Sequence, residues 1–187
     1  PRAVMLRALM AELERVANHL GDFGAICNDA AFALMLAHCA VLREQVLRTA
    51  EASFGHRMMR DRIVPGGVAC DLEPAGAAAV ASLAKEIRAK LPALIDLYDN
   101  TASLQDRTGI LSAELARRFG AGGYVGRASG RAFDARRAMP YAPYDRLSFE
   151  VPVMQEGDVN ARVWLRIKEI EQSLSLIDQI LETMPQG

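Results

Sequence analysis

The feature that most limits the fold is a double periodicity near the start of the chain. Leu6, Leu9, Leu13, Val16, Leu20 and Phe23 recur at alternating three- and four-residue steps, which makes one apolar face of an α-helix. Beside it, Glu12, Arg15, His19 and Asp22 step by three, four and three, each within side-chain reach of the next. A polar stripe at helical spacing is by default a solvated face. Covered, the same stripe becomes chemistry. A buried His19 needs partners for its ring nitrogens, and its protonation responds to a neighbouring carboxylate near neutral pH.

Three more stretches carry helical patterns. The first helix is predicted over residues 2–27, where Gly21 and Gly24 leave room for another backbone to approach. Asn28 and Asp29 then suit the cap of a second helix over 30–54, stopped by Gly55. Pro74 suits the first turn of a third helix reaching 98, with a kink at Pro92. The last, over 158–183, has the seam Val163, Ile167, Ile170, Leu174, Ile177, Leu181 and Met184. Trp164, Arg162, Arg166, Lys168 and Glu169 lie off that seam and read as solvated or interface positions.

Together these predict a mainly α single domain over 1–187. It is a four-helix bundle with a long irregular insertion, about 100–156, carrying one or two short strands. In the insertion, 101–119 reads as two short helical pieces broken at Gly109, with Ser112 capping the second and Gly120 ending it. Arg127, Arg131, Arg136 and Arg137 follow, with Asp134, Asp145 and Tyr124, Tyr141 and Tyr144, and 148–151 suits a strand. A long ordered loop within a domain is commonly a binding segment.

The chain is 51% hydrophobic and 24% charged with a formal net charge of -1, which disfavours disorder and a general electrostatic claim on nucleic acid. Cys27, Cys39 and Cys70 have no C-x-x-C spacing and read as reduced thiols of a cytoplasmic protein; no metal-ligand set stands out. No apolar run is long enough to span a bilayer, and no charged-then-apolar leader opens the chain, so membrane contact is expected through partners. The chain opens inside a helical pattern and stops just after one, as a piece of something longer would.

Three ordered blocks carry a family resemblance. They are Arg7-x4-Glu12-x2-Arg15-x2-Asn18-His19 through Asp29; Gly55 and Arg57 with Pro65-Gly66-Gly67-Val68 and Asp71; and Gly126-Arg127-Ala128-Ser129-Gly130, Asp134-x-Arg136, Pro140-Tyr141, Tyr144 and Gly157-Asp158. The ending, Ser173 to Met184-Pro185-x-Gly187, fits as well. The sequence resembles the middle portion of the large subunit shared by membrane-bound nickel–iron hydrogenases of the formate hydrogenlyase type and respiratory complex I, whose homologue is the 49 kDa, or D, subunit. The wording around Gly24–Asp29 and Gly55–Arg57 leans towards the hydrogenase branch.

The resemblance implies electrons arriving from a small iron–sulfur subunit, with clusters on partner subunits of a membrane complex, and either a nickel–iron centre or a quinone as the reacting group. That complex would lie on the inner face of the cell membrane. It makes Asp29 and His19 proton-relay candidates, and Arg127, Asp134 and Arg136 candidates for orienting the site or the partner interface. The two cysteine pairs that hold the metal in the hydrogenase branch are not among these residues, so the isolated chain is expected to be inactive. The rival expectation is a non-catalytic helical interaction module that keeps the bundle without the metal site.

Overall fold

In the computed structural model, which describes residues 1–105 and 108–186, four long helices form the body of the protein. They are α1 (Arg2–Asp29), α2 (Ala33–Phe54), α3 (Pro74–Asp99) and α7 (Val159–Thr183). Between the third and last lie a 3-10 turn (Ala102–Leu104) and the short helices α4 (Ala113–Arg118), α5 (Gly123–Ala128) and α6 (Ala135–Ala138). The first helical piece expected over 101–119 includes Asp106 and Arg107, which lie outside the described residues, as does Gly187.

Helix α1 packs on α2 and α7, and α3 packs on the same two, so the four close a ring around one apolar core. The apolar stripe of α1 is buried throughout, and Phe23, Tyr98 and Trp164 stack edge to face across it at 5.5 and 6.1 Å. Cross-links from Glu12 to Ser173, His19 to Glu169 and Asp22 to Arg166 show that α1 and α7 run antiparallel. At the far end, Arg2 ties the two helices off by donating to the Pro185 carbonyl at 2.6 Å and to Asp71 at 2.6 Å.

Gly24 is where α2 comes closest to α1. A Cβ there would stand 2.8 Å from the Cys39 Cβ and 3.0 Å from the Leu36 Cα. Gly24→Ala is therefore expected to destabilise the protein in a thermal melt, since overpacking costs about 1–3 kcal/mol and outweighs the roughly 1 kcal/mol of helix propensity gained.

Three expectations need correction. The 148–151 segment forms no regular secondary structure and pairs with no strand among the described residues. Side-chain amides on α7 take that role: Ser148 N–H donates to Gln179 Oε1, Gln179 Nε2 donates back to the Ser148 carbonyl, and Glu150 N–H donates to Gln172 Oε1. The strands among the described residues, β1 (Ile63–Val64) and β2 (Gly67–Val68), lie outside the insertion, as an antiparallel pair turning through Pro65 and Gly66, whose φ is 87°. Nor does Asp29 cap α2. Helix α1 runs on through it, and α2 starts from Phe32 with no side-chain cap. Finally, Arg166 and Glu169 are buried, because the insertion covers a second face of α7. Ser112 does cap α4, accepting from Leu115 N–H at 3.2 Å.

Candidate functional site

The polar stripe of α1 is half covered: Glu12 and His19 are buried, Arg15 is half-buried and Asp22 is exposed. Two turns of helix separate Glu12 from His19, and each meets a different part of the insertion.

At His19 the ring is 7% exposed and its Nε2 lies 2.7 Å from Glu169 Oε2. Arg127 holds the other oxygen, with Nε at 2.6 Å and Nη2 at 2.5 Å from Glu169 Oε1, and its Nη1 donates to the Phe133 carbonyl. Glu169 is 1% exposed. Burial alone would raise its pKa, but the hydrogen bond from His19 and the charge of Arg127 outweigh that and hold the carboxyl below its ordinary 4.5. An ionised carboxylate only accepts, so the proton between the two sits on Nε2. The Nδ1 edge has no partner among the described residues. His19 instead forms part of the wall of an open groove of about 490 Å3, with Glu14, Arg15, Asn18, Asp22 and Tyr124.

Arg166 closes the groove side of α7, with its guanidinium 3.7 Å from the Tyr124 ring centre and Nη2 3.0 Å from Asp22 Oδ2. Helix α5 thus supplies both Tyr124 to the groove wall and Arg127 to the buried carboxylate. A chain reversal at Gly130, φ 81°, follows α5, whose last turn is fixed by Met154 N–H to the Arg127 carbonyl and Gly157 N–H to the Ala128 carbonyl.

The second cluster is built on Glu12. Its Oε1 accepts from Tyr144 Oη at 2.6 Å and Arg136 Nη1 at 2.9 Å; its Oε2 accepts from Ser173 Oγ at 2.7 Å and Arg15 Nε at 3.3 Å. Asp134 caps α6 and grips Arg136 through both oxygens. Burial pushes against ionisation of Asp134, but the bonds from Arg136 win and keep it below its ordinary 3.8. Burial and the neighbouring Glu12 charge push the Tyr144 phenol up, so it stays protonated and donates. Arg136 also lies 4.9 Å over the Phe149 ring. With four donors on one carboxylate, this cluster is a fixed lock between α1, α6 and α7.

Of the residues singled out by sequence, the structure brings His19 together with Arg127 through Glu169, and Asp134 together with Arg136 through a direct pair. It does not bring Asp29 to them. Asp29 is exposed at the end of α1, ten residues and about 15 Å along the helix from His19. Glu169, Ser173 and Tyr144 are site residues that sequence reasoning misses. A visible signal exists: Leu165, Glu169, Ser173 and Leu176 form a second buried stripe on α7, interrupted by one acid.

Soft thiolates are what a nickel–iron site requires. Burial pushes the thiols of Cys27 and Cys39 up to about 11 and about 12, in the core between α1 and α2. Among the described residues no group of three or more His, Cys, Asp or Glu is placed to hold a metal ion. These residues do not fit that centre.

The family described as respiratory-chain NADH dehydrogenase, 49 Kd subunit, matches residues 29–187. The chain belongs to that family. Among its relatives, the carbon monoxide-induced hydrogenase of Rhodospirillum rubrum is 37% identical over 191 residues, covering 100% of this chain and 53% of the relative. The D subunit of the NADH-quinone oxidoreductase of Desulfotalea psychrophila is 35% identical over 189 residues, 100% of this chain and 51% of the relative. For the C/D subunit of the Phocaeicola vulgatus NADH-quinone oxidoreductase the identity is 34%, over 100% of this chain and 36% of the relative. This 49 kDa-family chain thus spans about half the length, or less, of the curated relatives it matches. No helix among its described residues is long and apolar enough to cross a membrane.

Proposed function

We propose that the chain is the helical core of the large subunit of a membrane-associated oxidoreductase complex, of the NADH-quinone oxidoreductase or energy-converting hydrogenase kind, in which His19 holds and passes on a proton as electrons arrive from an iron–sulfur partner. The observation that carries this reading is the position of His19, between an open polar groove and a buried, ionised Glu169. A proton arriving from the groove lands on Nδ1. The imidazolium so formed is stabilised by Glu169, which accepts from Nε2. Arg127 keeps Glu169 anionic, so the proton stays on the ring and can leave by the same edge. Asp29, exposed at the end of α1, is the second relay candidate, exchanging with solvent further along that helix.

In this reading Arg127, Asp134 and Arg136 orient the site by locking the insertion onto the bundle. The reacting group, a nickel–iron centre or a quinone, belongs to residues other than these, and iron–sulfur clusters to partner subunits. The complex lies on the cytoplasmic face of the membrane, held there through its partners. Both hydrogenase and quinone-oxidoreductase relatives support the reading.

The test is His19→Gln in the full-length subunit within its complex. Glutamine keeps a donor to Glu169 but cannot take a proton, so turnover is expected to fall about tenfold or more. Asp29→Asn, measured alongside, is expected to give the smaller loss. Wild-type turnover in both would favour a helical interaction module without a relay.

A further inference from the structure

The inner face of His19 is occupied: Nε2 is bonded to Glu169, and Arg127 holds that carboxylate from the other side. Its open edge meets the groove of about 490 Å3, large enough for a chain of waters at about 30 Å3 each. At 7% exposure the imidazole presents little of itself to bulk solvent. Its neighbours on the same lane of α1 are Arg15, one turn before it, and Asp22, one turn after. Arg15 is a half-buried cation that donates to Glu12, and it repels a proton approaching from that end. Asp22 is an anion whose side chain is 51% exposed.

Arg166, buried on α7 and stacked on Tyr124, donates to Asp22 from Nε at 3.2 Å and Nη2 at 3.0 Å, and both bonds end on Oδ2. Oδ1 therefore has no donor among the described residues and is left to water. The other carboxylate lining the groove, Glu14, lies about 140° round the helix from His19, with no bond among the described residues to orient it. We propose that Asp22 is the proton-entry residue of the groove: resting on the relay assigned to His19, it takes protons from bulk water on Oδ1 and hands them through groove water to Nδ1. In each delivery the O–H bond at Oδ1 breaks, an N–H bond forms at Nδ1, and Asp22 returns to the carboxylate that Arg166 holds in place. Asp22 is thus a positioning residue that acts through His19.

The Asp22–Arg166 pair also clamps α1 to α7, so the deciding variant must keep the clamp. Asp22→Asn in the full-length subunit within its complex does so, because its amide oxygen still accepts from Arg166. In dilute buffer its turnover is expected to fall about tenfold. Concentrated imidazole, a small diffusible acid, should restore most of the loss while leaving wild type unchanged, and tetramethylammonium chloride at the same ionic strength should restore nothing. Asp22→Glu, which keeps a carboxylate, should need no imidazole. Added to His19→Gln, Asp22→Asn should cost nothing more. Wild-type turnover in Asp22→Asn beside an impaired His19→Gln would overturn the proposal and leave the relay standing. So would a loss that imidazole does not restore, which would make Asp22 a clamp alone, or losses that add in the double variant. Wild-type turnover in His19→Gln would remove the relay reading itself, and the proposal with it.

Discussion

Glu12→Ala is expected to lower stability by about 3–5 kcal/mol, since removing one partner of a buried ion pair leaves the other charge uncompensated. Glu12 is fully buried, and four donors converge on it: Arg15, Arg136, Tyr144 and Ser173. Alanine leaves the Tyr144 and Ser173 hydroxyls and one Arg136 nitrogen without an acceptor, in a place where water cannot easily replace it. Thermal unfolding should register this as a fall of roughly 2–4 °C for each kcal/mol. The contrast is Glu44, whose exposed bonds to Arg48 and Arg57 should be removable with no measurable change. A similarly small shift for Glu12→Ala would mean that the cluster is hydrated and adapts.

Arg127→Met should cost about 3 kcal/mol at neutral pH for the same reason, with a pH signature of its own. In the native protein the Glu169 pKa is depressed, so its contribution is present above about pH 4.5 and is lost as pH falls through the lower native value. Without Arg127 the sign reverses. Burial then disfavours the carboxylate, and a proton on Glu169 or on His19 relieves it. The stability deficit of the variant should therefore be largest above neutrality and shrink on acidification. Denaturant midpoints at pH 8 and pH 5, compared with wild type, measure this directly. A deficit equal at both pH values would assign Arg127 a packing role and remove the electrostatic basis of the relay.

Much of the fold was legible because it rests on local periodicity. The seam of α7, the stop at Gly55 and the cap at Ser112 are all written within a few residues of where they act. The site was only half legible. The Glu12 to Asp22 stripe was visible, but whether it was solvated depended on the insertion, which folds back from more than a hundred residues away. Glu169 and Arg166 looked like surface positions because a single seam explained α7 on its own. Their burial follows from a second covered face, and periodicity cannot say what will cover it. The missing strand at 148–151 has the same origin: Gln172 and Gln179 satisfy that backbone from a helix, a pairing that no short-range pattern announces.

The antiparallel pairing of α1 with α7 also fixes when the site can exist. His19 and Glu169 are 150 residues apart in sequence, so their meeting closes nearly the whole chain into one loop, whereas α1 and α2 meet across a short turn. Loop-closure entropy makes the α1–α2 hairpin the cheap early contact and the α1–α7 contact the late one. A chain cut anywhere between α2 and α6 would leave the imidazole and its carboxylate on separate fragments. The His19 bond to Glu169 is thus available only to a chain folded from one end of the bundle to the other, whereas Arg127, on α5, meets the same carboxylate from within the second half of the chain.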